Sequence, residues 1–201
     1  DMGWNFYNAS GELQINDGGV QASAAVFTGN VDLGSNLLVG NGGSTGIAIS
    51  ANGEVTMAAQ PSVLAYNSSV DSNVTGNGAW VTVDFDTEVH DRNADFASDT
   101  FTAPVAGIYL LTTTIKVSGI TSSGTINWTK FVTSNRDIAT SIRSLGVAGF
   151  TEYCFTLTML ADMDASDTVY ISFYGAGESG NVWDIEGESW ISTGFGIHLV
   201  A

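Results

Sequence analysis

Positive charge is scarce in this sequence: five lysines and arginines face 21 aspartates and glutamates, giving a formal net charge of −16 over 201 residues. Nucleic acid is thereby excluded as a partner, because phosphate binding depends on a basic surface. The same acidity suits a protein that stays soluble in salty water, where screening shortens self-repulsion to roughly 10 Å at 0.1 M ionic strength. Cysteine is all but missing. The lone Cys154 excludes an intrachain disulfide framework, so stability must come from packing and assembly, and its place on a strand makes it a structural thiol. No run approaches the roughly 20 apolar residues of a membrane span, and no basic start, apolar middle and small-residue cleavage site marks a signal peptide; membrane insertion is not expected. A helical period is missing as well. A charged fraction of only 13%, with 2 prolines and 24 glycines, fits an all-β chain with many tight turns better than a bundle or a disordered tail.

What is present is 44% apolar residues, enough for a core, in a chain long enough for one full domain and a smaller module. The chain is organised around Phe-Thr-Ala-Pro-Val-Ala-Gly-Ile-Tyr-Leu-Leu, residues 101 to 111. Pro104 has no N–H and holds Ala103 extended, so a strand should begin beyond it, with Gly107 admitting a close backbone. From residue 108 to 117, Ile108, Leu110 and the stem of Lys116 share one face; Tyr109, Leu111, Ile115 and Val117 share the other. Apolar residues on both faces imply two coverings, one by the domain itself and one by something else, for which another copy is a candidate.

The residues Phe85, Asp91, Phe96, Phe101, Gly107 and Tyr109 resemble the pattern of the jelly roll shared by the complement component one-q globular head and tumour necrosis factor. The match departs in a shortened gap between Phe96 and Phe101, and in Leu111 and Thr113, where that family prefers aromatics. Ser-Thr-Gly-Phe-Gly-Ile-His-Leu, residues 192 to 199, is similar to the family's closing strand, and Ala-Ser-Asp-Thr-Val, residues 165 to 169, to its Ala-Gly-Asp-x-Val turn. The resemblance covers residues 61 to 201 and implies an all-β, about ten-stranded jelly-roll sandwich that assembles as a homotrimer. Tyr109, Leu111 and His198 are then expected at the trimer interface, the last because the closing strand belongs to the sheet that faces the family's threefold axis.

Residues 1 to 60 differ in kind. Short β-like pieces at 12–15, 25–27, 31–33, 37–39, 47–49 and 55–57 alternate with Gly/Asn turn clusters about every ten residues. One copy cannot bury enough apolar area to offset its chain entropy, whereas three intertwined copies can. The phrasing is similar to bacteriophage tail-fibre shafts, so a trimeric β-structured shaft is expected here; a flexible Gly/Asn/Ser linker is the plainer alternative. The opening Asp1-Met2-Gly3-Trp4 reads as the start of a fragment. In the head, strands are expected at 62–67, 79–86, 106–118, 125–133, 137–145, 151–161, 168–175 and 189–200, with a short pair near 70–75 and 94–101.

Counting antiparallel reversals back from the last strand puts loops 119–124, 146–150 and 176–188 at the tip and the turn 161–167 on the shaft side. The tip loop 176–188 supplies the candidate ligand-binding residues Glu178, Asn181, Trp183, Asp184, Glu186 and Glu188. On an extended strand Asp184, Glu186 and Glu188 would share one face, suiting calcium, and an exposed Trp183 would stack on a sugar; a solvated edge with Trp183 packed inward is the alternative. Asp162, Asp164 and Asp167 lack the glycine and closing glutamate of a helix-loop-helix calcium site and read as a turn. Asp84, Asp86, Glu88, Asp91 and Asp95 surround His90 without a partnered nucleophile. No phosphate-cradling Gly-Lys-Ser loop occurs and Cys154 has no evident histidine partner, so no catalytic residue is assigned.

The expectation is therefore a non-enzymatic, trimeric bacteriophage tail-fibre tip, extracellular on the virion. Its partners are itself, a host cell-surface glycan or protein, and upstream tail-fibre or baseplate proteins. A depolymerase using carboxylates of residues 184–188 roughly 5–9 Å apart is the enzymatic alternative. A bacterial surface or spore-coat adhesin with the same head ranks behind both.

Overall fold

The computed structural model describes residues 46–143 and 151–201. The expected shaft pieces before residue 46 and the tip loop 146–150 lie outside the described residues. The first element is a hairpin in which β1 (Ile47–Ile49) pairs antiparallel with β2 (Val55–Met57), the two pieces the sequence marks here. Gly53 turns it at φ +90°, a backbone conformation that L side chains rarely adopt, while the Ser50 hydroxyl bonds the Glu54 carboxylate. Ile47, Ile49, Val55 and Met57 are all exposed. A lone two-stranded hairpin is marginal in water. The segment that follows it is tied to the base of the next unit: Arg92 and Asn93 donate to the carbonyls of Ala58 and Ala59 at 3.1 and 3.2 Å, and Gln60 donates to that of Leu199 at 2.7 Å.

Beyond Pro61 the chain folds as a jelly-roll sandwich of two antiparallel sheets, all β among the described residues. The first sheet holds β3 (Ser62–Tyr66), β4 (Asp71–Thr75), β6 (Thr87–Asp91), β9 (Gly107–Ser118), β12 (Tyr153–Met163), β14 (Trp183–Ile185) and β15 (Gly194–Leu199). The second holds β5 (Ala79–Thr82), β7 (Phe96–Ala97), β8 (Thr100–Thr102), β10 (Ile126–Thr133), β11 (Asp137–Arg143) and β13 (Thr168–Ala176). Across the first, β6, β3, β15, β9 and β12 are successive neighbours; across the second, β8, β13, β10 and β11 are. From β9 onward the chain crosses between sheets, the connectivity that closes a jelly roll around one core.

β9 is the spine, as its sequence requires. It begins three residues after Pro104, and a Cβ on Gly107 would come within 2.5 Å of the Ala201 carbonyl oxygen, so the C-terminus closes against it only because no side chain is there. Tyr109, Leu111, Thr113, Ile115 and Val117 are buried in the core, while Ile108, Leu110, Thr112, Thr114 and Lys116 face outward. The aromatic motif residues converge. Phe85, Phe96 and Phe131 lie 5.8, 6.0 and 6.4 Å from the ring of Phe195, and Phe101 lies 5.6 Å from Tyr109, whose hydroxyl donates to the Val105 carbonyl at 2.7 Å. Truncating a ring so placed costs about 3–5 kcal/mol. Asp91 accepts the backbone N–H groups of Asp95 and Phe96 at 3.0 Å each, fixing the turn that carries Phe96 inward.

The sandwich holds more and shorter strands than the ten expected, for identifiable reasons. The closing strand, expected over 189–200, begins at Gly194, and β14 forms within the expected tip loop. β14 pairs with Val117 and Ser118, and β15 resumes along β9 at Thr114, so the two are one strand interrupted by an excursion through residues 186–193. Ile191 stands there at φ +59°, outside strand geometry. The expected short pair does not pair: β4 joins β14 in the first sheet, whereas β7 and β8 form a hairpin in the second. The strand expected over 79–86 is shorter: β5 ends at Thr82, Val83 still donates in register to the Ile171 carbonyl, and Phe85 then donates to the Asp99 carboxylate instead of to a ladder.

Candidate functional site

The two ends of β9 define two ends of the sandwich, about 36 Å apart for 12 residues of strand. Gln60, Pro104, Gly107, the turn 164–167 and Ala201 gather at the hairpin end. Loops 119–124 and 177–182 gather at the other: a Cβ on Gly177 would meet the Ser123 carbonyl at 2.2 Å, and one on Gly119 the Val182 carbonyl at 2.3 Å. Of the loops expected away from the hairpin by strand reversal, 119–124 and 177–182 are the described ones that meet there.

At the distal end the structure follows the alternative in which Trp183 packs inward. Trp183 is fully buried, its indole lying over Gly175, and is unavailable for stacking on a sugar. Glu178 accepts the Thr121 N–H and hydroxyl at 2.9 and 2.8 Å and the Trp183 indole N–H at 3.2 Å. Desolvation alone would raise its carboxyl, but the Thr121 and Trp183 bonds outweigh it and hold the group below its ordinary value. It is a staple between loops rather than an open ligand group. Asp184 accepts the Asn73 N–H at 2.6 Å, at a position where Asn73 has φ +57°. Glu188 lies 3.6 Å from Lys116, which also sits 3.7 Å from Glu152. Asn181 is exposed and Glu186 half-buried. Glu186 continues the register of β14, donating its N–H to the Lys116 carbonyl at 2.8 Å, and Asp184, Glu186 and Glu188 alternate as partly exposed residues with the buried Trp183, Ile185 and Gly187. Among the described residues no three carboxylate, histidine or cysteine side chains converge to hold a metal ion.

The other acidic groups serve the fold. Asp167 accepts from Asp164 N–H and Asn135, and Asp162 pairs with Arg136 at 2.9 Å, which makes the 162–167 segment a turn at the hairpin end. Asp86 accepts from Ser68 and Thr87, and His90 lies 3.0 Å from the Ser62 hydroxyl. The Ser62–His90 pair lies in an open groove lined also by Arg92 and His198.

Of the residues expected at a trimer interface, Tyr109 and Leu111 are buried inside a single chain and cannot reach a neighbour. The strand's two-sidedness was legible, but its sides exchange roles: the outward set is the one with Ile108 and Leu110. His198 does face outward, between Leu110 and Ser62 in register. Around it, Leu110 and Leu160 are 37% and 58% exposed, directly opposite one another on β9 and β12. Thr112 and Thr158 bond across the same strands at 2.9 Å. Beside this face the 186–193 excursion carries Trp190, at 74% the most exposed large apolar side chain described.

Sequence reasoning also passed over the outer face of the second sheet. Trp80, Tyr174 and Trp128 stand directly opposite one another on β5, β13 and β10, with Ser141 next on β11. Trp80 and Tyr174 have ring centroids 5.1 Å apart, and the Lys130 ammonium lies 4.4 Å from the Trp80 ring centroid and 2.8 Å from Asp137. The signal that could have found them is strand alternation: Asn127, Thr129, Phe131 and Thr133 fill the inward positions, which turns Trp128 and Lys130 out.

The sequence matches no family model and no curated protein. Among solved structures, the chain is similar to the globular domain of zebrafish complement 1qA protein, at 15% identity over 71% of this chain and 98% of that one, with a TM-score of 0.49. It is similar also to murine APRIL, at 12% identity over 70% of this chain and 99% of that one, with a TM-score of 0.47.

Proposed function

We propose that the chain is the head of a homotrimeric fibre, a bacteriophage tail-fibre tip, that attaches to a glycan on the host cell surface. The observation that carries this reading is the open face of the first sheet. Leu110 and Leu160 lie side by side, exposed, on strands paired along their full lengths, flanked by Leu64, Ile108, a threonine ladder and Gly196. A central sheet face of this kind is covered by another copy of itself when the protein assembles. The exposed apolar side chains of the β1–β2 hairpin, at the end where the shaft segment enters, support the same axis. Three weak sites on one fibre, and several fibres on one particle, raise avidity by about 10²–10⁴ without a tight single site.

The test is the solution mass of the intact chain by light scattering, together with adsorption of the labelled protein to host cells and assay of released sugar. A trimer that adsorbs reversibly is expected. A stable monomer would remove the axis, and continuous release of saccharide would move the protein to the depolymerases.

A further inference from the structure

We propose that the receptor glycan is bound on the flank of the head, by the outer face of the second sheet, with Trp80, Tyr174 and Trp128 as its stacking platform and Lys130 and Asp137 as its polar partners. This deepens the attachment reading above and rests on it for its biological setting.

The platform follows from register. Adjacent strands are about 4.8 Å apart, so the row from β5 through β13 to β10 spans about 10 Å, the length of a disaccharide. Along that row the outward side chains are Trp, Tyr and Trp, on a sheet whose backbone holds their Cβ atoms at fixed height. Two residues along the strands, the next row is Thr82, Ser172 and Lys130, and Val132 stands opposite Asp137 beyond it. Trp80 is 46% exposed although it touches Tyr174, so a ring face or edge remains for a ligand. Lys130 is already placed, held between the Trp80 ring and Asp137, which lessens the entropy lost when it meets a ligand hydroxyl.

Charge decides the occupant. A chain of net charge −16 repels polyanions, so nucleic acids and acidic polysaccharides are disfavoured. An apolar protein surface would have to bury the Lys130–Asp137 ion pair in the middle of the contact, where interface cores are depleted of charge. A neutral pyranose chain meets both features. Its C–H faces pack on aromatic rings, and its hydroxyls accept from the ammonium and donate to the carboxylate without either charge being stripped of polar partners. The platform lies on the opposite side of the sandwich from Leu110 and Leu160, so self-association through the first sheet leaves three such platforms facing outward.

The experiment uses the intact chain and measures tryptophan fluorescence and affinity electrophoresis with cellohexaose, laminarihexaose, mannan and chitohexaose, with hyaluronan as the acidic comparison. At least one neutral glycan should bind, with Trp80→Ala and Tyr174→Ala each weakening it about tenfold. Lys130→Met should weaken it without altering far-ultraviolet dichroism, which keeps the test valid if an aromatic variant misfolds, and Trp190→Ala should leave it unchanged. No neutral glycan bound at millimolar concentration, hyaluronan bound alone, or binding indifferent to all three platform variants would each overturn the proposal. Because mass is measured on the same samples, a trimer without glycan binding sinks this inference alone, and a monomer that binds through Trp80 sinks the trimeric reading alone.

Discussion

The indole of Trp183 rests on Gly175, where a Cβ would come within 2.1 Å of ring carbon Cε3. Gly124 and Gly76 approach the same ring, with built Cβ distances of 3.1 and 3.2 Å. Glycine here is a packing requirement: the ring occupies the space that side chains would fill. Gly175→Ala should destabilise the head by about 1–3 kcal/mol through overpacking, and Trp183→Ala by about 3–5 kcal/mol through the cavity it leaves. Both are read by urea denaturation at fixed protein concentration. Unchanged midpoints would mean that the distal end does not pack as described.

Glu178 and Asp84 should shift acid stability in opposite directions. The Glu178 carboxyl is held low, because its Thr121 and Trp183 hydrogen bonds outweigh desolvation. A depressed folded value gives stability that is present above the ordinary carboxylate range and lost as pH falls through it. Glu178→Gln should therefore lower the melting temperature at neutral pH and converge with the parent in acid.

Asp84 is raised, first by desolvation and then by the neighbouring charge of Asp99. A raised acid favours the fold when protonated and opposes it when ionised. Asp84→Asn should raise the melting temperature at neutral pH, with the gain shrinking as pH falls into the carboxylate range. A gain of equal size at every pH would show that charge is not its cause.

Most of the fold was legible because its determinants are local. Pro104 set the start of β9, strict alternation sorted its two faces, and spacing alone placed β1 and β2 where they occur. The site was less legible, because exposure is a property of the neighbours. Nothing in the alternation of residues 183–188 reveals that Gly175 and Gly124 hollow out a place for Trp183, so its burial turned a supposed stacking residue into core. Likewise, the alternation showed apolar residues on both sides of β9, but which side meets the second sheet depends on Phe131 and Phe195, far away in sequence. The aromatic platform needed the register of three strands before Trp80, Tyr174 and Trp128 could be seen as one row.

Lys116 sits between Glu152 and Glu188, and one Glu188 oxygen is buried without a hydrogen-bond partner. Removing the cation leaves a carboxylate only 21% exposed, with one buried oxygen and no counter-charge, which is costlier than the pair is favourable. Lys116→Met should lower the melting temperature, and Glu188→Gln in that background should recover part of the loss. If the double variant is no better than the single one, the Lys116 stem rather than its charge is what matters.

The open face of the first sheet gives the sharpest separation between folding and assembly. Leu110 and Tyr109 are sequence neighbours on opposite faces of β9; Leu110 is partly exposed, and Tyr109 is enclosed by the core. Tyr109→Ala should cost about 3–5 kcal/mol and unfold the head at lower denaturant, because it empties a core position. Leu110→Glu and Leu160→Glu place a carboxylate on a solvent-accessible face of the single chain, so each should fold. In an assembly joined through this face they would set like charges against each other in a desolvated contact, an unfavourable juxtaposition worth several kcal/mol. If the parent assembles through this face, light scattering should find folded monomers for the two leucine variants and the parent's mass for Trp80→Ala. Leucine variants that keep the parent's mass would move the axis away from this sheet, whereas loss of their fold would mean that Leu110 and Leu160 are structural in a way their exposure does not convey.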